Sequence, residues 1–104
     1  MLRNTLLYDF YSELLTERQK NIYHMYYNDD MTLAEIADRF GISRQAVNFS
    51  LKQAQKNFES FENALKLVER HSLICGFLKE LRTTLEDSDY TGCITVLNKI
   101  DDLI

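Results

Sequence analysis

The sequence predicts an all-α protein, and three observations carry that expectation. Proline is absent and only Gly41, Gly76 and Gly92 interrupt the chain as glycines. Apolar residues recur at helical spacing, with T-x-x-Q and T-x-x-E capping patterns between the apolar runs. β-Branched residues are sparse over residues 1–80, so little favours a sheet. At 104 residues the chain is one domain, or a small domain with an extension. A hydrophobic share of 45% and a charged share of 27% are those of an ordinary globular protein that can bury a core.

The elements follow in order. Leu2, Leu6, Leu7, Phe10 and Leu14 place an amphipathic helix over about residues 2–15. Thr16 and Gln19 form a capping box that starts a second helix, with Ile22, Met25 and Tyr26 as its buried face and Asn28-Asp29-Asp30 at its end. Thr32 and Glu35 repeat the box, and a short third helix runs to Phe40 with Leu33, Ile36, Ala37 and Phe40 inward. Gly41 stands where a left-handed cap is wanted, and Ser43 caps a fourth helix. Val47, Leu51, Ala54, Phe58, Phe61, Leu65 and Val68 then alternate intervals of four and three, a heptad seam that predicts one long helix. A fifth helix is expected around 72–85, with Ile74, Phe77, Leu78, Leu81 and Leu85 apolar. After the turn Glu86–Asp89 a sixth carries Tyr90, Ile94, Leu97 and Ile100 or Leu103. The outer half of the seam needs cover, from these last helices folding back or from a second chain.

Thr32 to Val47 has the mechanics of a helix-turn-helix. Ala37 is small where two helices cross, Gly41 relieves the turn, Ile42 plugs the gap, and Val47 and Leu51 anchor the second helix from beneath. With those two buried, the opposite face offers Arg44, Gln45, Asn48, Phe49 and Lys52. Arginine pairs with guanine edges and glutamine or asparagine with adenine edges, while Phe49 can pack on a thymine methyl. Arg39 and Lys52 suit phosphates, and the helix N-termini at Thr32 and Ser43 present backbone N–H groups to phosphate oxygens. The blander reading makes Arg44 and Gln45 a solvated first turn and packs Phe49 under another protein surface. Net charge is -4 and the pI about 5.1, against a DNA-binding role. The acidity is uneven, however. Residues 1–60 hold seven basic and eight acidic side chains, and residues 61–104 hold five and eight.

On the stretch LYDFYSELLTERQKNIYHMYYNDDMTLAEIADRFGISRQAV, residues 7–47, the chain resembles the YlxM family of small bacterial proteins. Members are usually encoded beside the signal recognition particle protein Ffh and its receptor FtsY. The helix-turn-helix is similar to region 4 of sigma factors, which reads the -35 promoter element. The resemblance covers residues 1–58 well and the last third loosely. After SRQAV the family typically continues Tyr-Asp-Asn, where this chain has Asn48-Phe49-Ser50, so contacts made by that turn do not carry over. The resemblance implies a sigma-region-4-like domain with a C-terminal helical extension, and a regulatory role in the signal recognition particle pathway.

Other chemistry finds little support. His24 and His71 are isolated from any second ligand at metal spacing, so no metal or cofactor is expected. Asp29-Asp30 and Asp101-Asp102 have no partner base or nucleophile, and no phosphate-binding glycine loop occurs, so an enzyme is not expected. The aromatic group Tyr8, Phe10, Tyr11, Tyr23, Tyr26 and Tyr27 reads as core and rim packing, with an RNA-stacking platform as the alternative. No apolar run approaches the roughly 20 residues that span a bilayer, and MLRNTLLYDFYSELL, with Asp9 and Glu13, does not read as a signal peptide. Cys75 and Cys93 are therefore expected as free thiols in a reducing cytoplasm. The expectation is a helix-turn-helix domain over 1–57 and a helical extension over 58–104 that dimerises or binds a partner. The function expected is regulation through duplex DNA, by a homodimer. The alternative is an accessory module of the signal recognition particle that contacts protein or RNA and not DNA.

Overall fold

The computed structural model describes residues 2–104, with side-chain surroundings given from Arg3 onward. The inward role expected of the Leu2 side chain lies outside the described residues. Among these residues the chain forms α1 (Leu2–Tyr11), a 3-10 turn (Ser12–Leu14), α2 (Glu17–Tyr27), α3 (Leu33–Phe40), α4 (Arg44–Leu65), α5 (Leu67–Glu86) and α6 (Tyr90–Leu103), and no strand. The chain is all-α. It divides into two compact units, Met1–Leu65 and Lys66–Ile104.

In the first unit, α4 is the spine against which α1, α2 and α3 pack. Val47, Leu51, Ala54 and Phe58 of the seam are buried, together with Leu7 and Tyr11 of α1, Ile22 and Tyr23 of α2, and Ile36 and Ala37 of α3. Phe58 is the hub. Its ring meets those of Tyr8 and Tyr23 edge-on, with centroids 6.5 and 5.1 Å away, a favoured aromatic geometry. Tyr8 and Tyr23 stack at 5.4 Å, and Tyr23 leans on Tyr27 at 4.5 Å. Tyr23 thus takes the inward place expected of Tyr26, which sits half-exposed at the rim against Tyr27. The reason is that α2 packs chiefly on α4, with α3 beside it, and meets α1 through Tyr8, so its buried arc turns from Tyr26 toward the ring that touches both Phe58 and Tyr8. A buried Tyr11 hydroxyl donates to the buried Glu62 carboxylate at 2.6 Å and ties α1 to the far end of α4.

The caps form where the sequence places them. The Gln19 and Glu35 amides donate to Thr16 and Thr32 Oγ1, and both side chains reach back to the cap amides. Gly41 adopts φ 64°, and the Ile42 amide donates to the Ala37 carbonyl at 3.0 Å, closing α3 with a Schellman turn.

Three stretches differ from the sequence expectation. The first helix tightens into a 3-10 turn at Ser12, where buried Ser12 and Leu15 bring the chain round into α2. The long helix stops at Leu65 because Lys66 adopts φ 58°, at a cost of about 1 kcal/mol for a residue with a Cβ. Val68 accordingly belongs to α5, which starts five residues earlier than expected, at Leu67.

In the second unit α5 and α6 form an antiparallel hairpin through a turn at Asp87–Asp89. The Asp89 carboxylate caps α6 by accepting from the Gly92 amide at 2.9 Å. Cys93 is buried beside Thr84, with Sγ and Oγ1 3.2 Å apart, and Lys99 pairs with Glu80 at 3.4 Å. The face of α6 turned inward is Cys93 and Val96, with Ile100 and Leu103 partly covered, while Tyr90, Ile94 and Leu97 lie exposed. The sequence reading names Tyr90, Ile94 and Leu97 as apolar without choosing a packing face. The helix is apolar on two sides, and periodicity alone does not choose between them.

Two outcomes follow for stability. Tyr11→Phe leaves the Glu62 carboxylate short of a donor and should lower unfolding free energy by about 2 kcal/mol in urea titration at pH 7. Burial, with Tyr27 and Tyr8 adding smaller effects, pushes the Tyr23 hydroxyl up to about 12. The unfolded chain therefore releases this proton near pH 10 while the folded one holds it. Stability is full below pH 10 and falls as pH rises from 10 to 12. Tyr23→Phe should flatten that decline in thermal melts while leaving the melting temperature at pH 7 nearly unchanged, since its hydrogen bond to Gln55 is long, at 3.5 Å.

Candidate nucleic-acid interface

A buried seam on one side of α4 leaves the other side to solvent. At 100° per residue, Gln45, Phe49, Lys52 and Lys56 lie within about 40° of the direction opposite Val47. Arg44 and Asn48 stand on one shoulder. All six are exposed, as are Arg39 at the end of α3 and Thr32 and Ser43 at the two helix starts. The side chains singled out from the sequence on α4 are therefore together on the first three turns. Lys56 extends the group by one turn beyond the sequence expectation, which ends at Lys52; its position nine residues after Val47 is the signal that finds it.

Three basic groups of the chain are matched: Arg3 pairs with Glu59 at 2.8 Å, Lys99 with Glu80, and Lys20 with Glu13, whose hydrogen bond raises the lysine above its ordinary value. Among the described residues, Lys66, Arg70, Lys79 and Arg82 of the second unit have no ion-pair partner. Arg18 lies over the Phe40 ring, 5.5 Å from its centroid. Among the described residues, Arg39, Arg44, Lys52 and Lys56 have no ion-pair partner. Their charges are screened only by solvent, which suits them to phosphate oxygens.

The two helix starts use their hydroxyls internally. Ser43 Oγ accepts from the Ala46 amide at 3.0 Å, and Thr32 Oγ1 from Glu35 at 3.1 Å. Both hydroxyls are occupied as caps, so what these positions offer an anion is the remaining first-turn N–H groups. Phe49 is 68% exposed, so its own fold covers little of the ring. The ring stands in solvent on the same face as Gln45 and Lys52.

The aromatic group of α1 and α2 lies apart from this face. Tyr11 and Tyr23 are buried, while Phe10, Tyr26 and Tyr27 are part-exposed. Tyr8, Tyr23 and Tyr27 line a cleft of about 290 Å³ with Asn4 and Asn28. His24 Nδ1 sits 3.3 Å from the Tyr8 hydroxyl and 2.9 Å from Asn28 Nδ2, and its Nε2 is 3.6 Å from Asp29. His71 approaches Cys75 to 3.6 Å. No group of three or more candidate metal ligands occurs among the described residues, and no helix of these is long and apolar enough to cross a membrane.

A short helix, a left-handed glycine and a helix anchored by its second and third turns define a helix-turn-helix protein. The model of the family described as "Putative helix-turn-helix protein, YlxM / p13 like" matches residues 1–97, and the chain belongs to that family. It is 38% identical over 103 residues to the UPF0122 protein ABC2295 of Shouchella clausii, covering 98% of this chain and 94% of that one. A relative from Thermoanaerobacter sp. is 46% identical over 82 residues, 79% of this chain and 70% of its own. The UPF0122 protein YofM of Lactococcus lactis is 40% identical over 101 residues, covering 97% and 89%.

Because Phe49 is largely in solvent, Phe49→Ala should change unfolding free energy by no more than about 0.5 kcal/mol, as read by urea titration. A larger drop would mean the ring is packed in the folded chain.

Proposed function

We propose that the protein binds duplex DNA through the first three turns of α4, as a cytoplasmic homodimer that regulates expression in the signal recognition particle pathway. In this reading Arg44, Gln45 and Asn48 meet base edges, Phe49 lies against a thymine methyl, and Arg39, Lys52 and Lys56 hold phosphates. Amides following Thr32 and Ser43 complete the grip on the backbone. The observation that carries it is the run of exposed basic side chains without carboxylate partners around Phe49. The family supports the helix-turn-helix part. The pathway is supported by the resemblance to proteins encoded beside Ffh and FtsY.

A non-DNA role as an accessory module of the signal recognition particle is favoured by one feature, the acidic second unit with its exposed apolar side chains.

Selection of bound sequences from random duplex DNA, followed by salt titration of the selected site, separates the two. The expected outcome is a defined site whose affinity falls steeply with salt. Arg44→Ala with Lys52→Ala should weaken binding by at least about tenfold and reduce the magnitude of the log–log salt slope by about one for each phosphate no longer held. Absence of any duplex binding at low salt, with the pair of substitutions without effect, would overturn the DNA reading. Capture of signal recognition particle protein or RNA that survives both substitutions would favour the alternative.

A further inference from the structure

The cleft between α1 and α2 takes no part in the DNA contact. Asn4, Tyr8 and Asp9 of α1 line it from one helix face, with Tyr23 and Tyr27 of α2 and Asn28 at that helix's end. It lies within the first unit, and its volume of about 290 Å³ is close to the lower bound for small-molecule sites. Its aromatic wall is anchored in the core. Tyr23 is buried and stacked within 10° of parallel on Tyr8, and both rings meet Phe58. Tyr27 leans on Tyr23 and is 51% exposed, so it brings open ring surface to the cleft.

The polar groups of the lining keep unspent hydrogen-bonding capacity. Asn28 Nδ2 donates to His24 Nδ1 at 2.9 Å, which leaves a second N–H and the side-chain carbonyl. Asn4 Oδ1 accepts from Gln55 of α4 at 3.5 Å, which leaves the Asn4 amino group. The Tyr8 hydroxyl competes with Asn28 for the one lone pair of His24 Nδ1 and, at 3.3 Å, is the more loosely held. The Asp9 carboxylate makes no ion pair among the described residues.

These groups select the ligand. No lysine or arginine is among the described lining residues, and Arg3, next to Asn4 in the chain, is taken by Glu59. An anionic ligand would therefore meet Asp9 and no opposite charge. A bare ammonium is matched no better, because stacked rings make a flat wall and not a cage around a cation. What fits is a flat, uncharged ring carrying an amino group and acceptor nitrogens. The amino group donates to Asp9 and the ring nitrogens accept from Asn4 and Asn28, pairings by which carboxylates and amides read cytosine and adenine. We propose that the cleft binds a free nucleoside with an amino-bearing base, adenine or cytosine, laid against Tyr27. A base within a single strand fits less well, since its flanking phosphates would pass Asp9 with no lining cation to hold them.

The test is titration of the full chain with adenosine, cytidine and uridine, followed by NMR chemical shifts. Adenosine or cytidine should bind with a Kd below about 1 mM, at least about fivefold tighter than uridine. Tyr27→Ala should weaken that binding at least about tenfold, and Tyr27→Phe, which keeps the ring, should leave it within about twofold. Asp9→Ala should abolish the preference over uridine while leaving the melting temperature near that of wild type, since Asp9 is exposed. Phe49→Ala, on the free face of α4, should leave nucleoside binding unchanged. Absence of shifts with all three nucleosides at millimolar concentration overturns the proposal. So does binding that survives Tyr27→Ala together with Asp9→Ala. Should Tyr27→Ala fail to fold, an undiminished preference over uridine in Asp9→Ala still overturns it. Binding of a single-stranded oligonucleotide at these residues, without binding of free nucleosides, overturns it as well.

Discussion

Everything in the first unit depends on one helix having to present two opposite faces to two different environments. α4 places Val47, Leu51, Ala54 and Phe58 against α1, α2 and α3, and a helix that commits one face to a core leaves the opposite face in water. Phe58 holds the packed side, with Tyr8 and Tyr23 against its ring. The free side starts at a capped N-terminus and shows Gln45, Phe49, Lys52 and Lys56 in register. The core thus orients the candidate interface: rotating α4 to present other residues would expose Val47 and Phe58.

The acidic net charge looks at first like an objection to nucleic-acid binding, but electrostatic attraction acts locally. Screening limits exposed charges to a range of about 10 Å, so the composition of one face matters more than the sum over the chain. Most of the excess acid lies beyond residue 60, and several carboxylates of the first unit are engaged at caps or ion pairs, among them Glu59 of α4 itself, held by Arg3. Glu35 closes a capping box, and Glu13 and Glu59 take up Lys20 and Arg3. What remains near the start of α4 is a small set of unmatched cations around one exposed aromatic ring.

The second unit poses a different physical problem. A hairpin of two helices has too few neighbours to enclose its own apolar residues, and here α6 has apolar groups on two sides. Packing Cys93 and Val96 against α5 leaves Tyr90, Ile94 and Leu97 outside. A surface of that kind is costly to keep in water and gains most from a permanent neighbour.

Much of the first unit was legible in its residues because local chemistry settles it. T-x-x-Q, T-x-x-E and Gly41 specify helix ends through bonds within a few residues, and the intervals from Val47 to Phe58 specify the buried side of α4. The gathering of Arg44, Gln45, Asn48, Phe49 and Lys52 on one exposed surface follows from those two facts. Tertiary structure decided the rest. That Tyr23 rather than Tyr26 turns inward depends on α1 and α4 both bordering α2, and the Tyr11–Glu62 bond joins residues far apart in sequence. The break at Lys66 interrupts a heptad pattern that runs through it unchanged, since periodicity records which residues are apolar and not whether the backbone between them is continuous. Which apolar side of α6 packs is likewise open in the sequence, because either side satisfies the same period and only the neighbouring helix selects one.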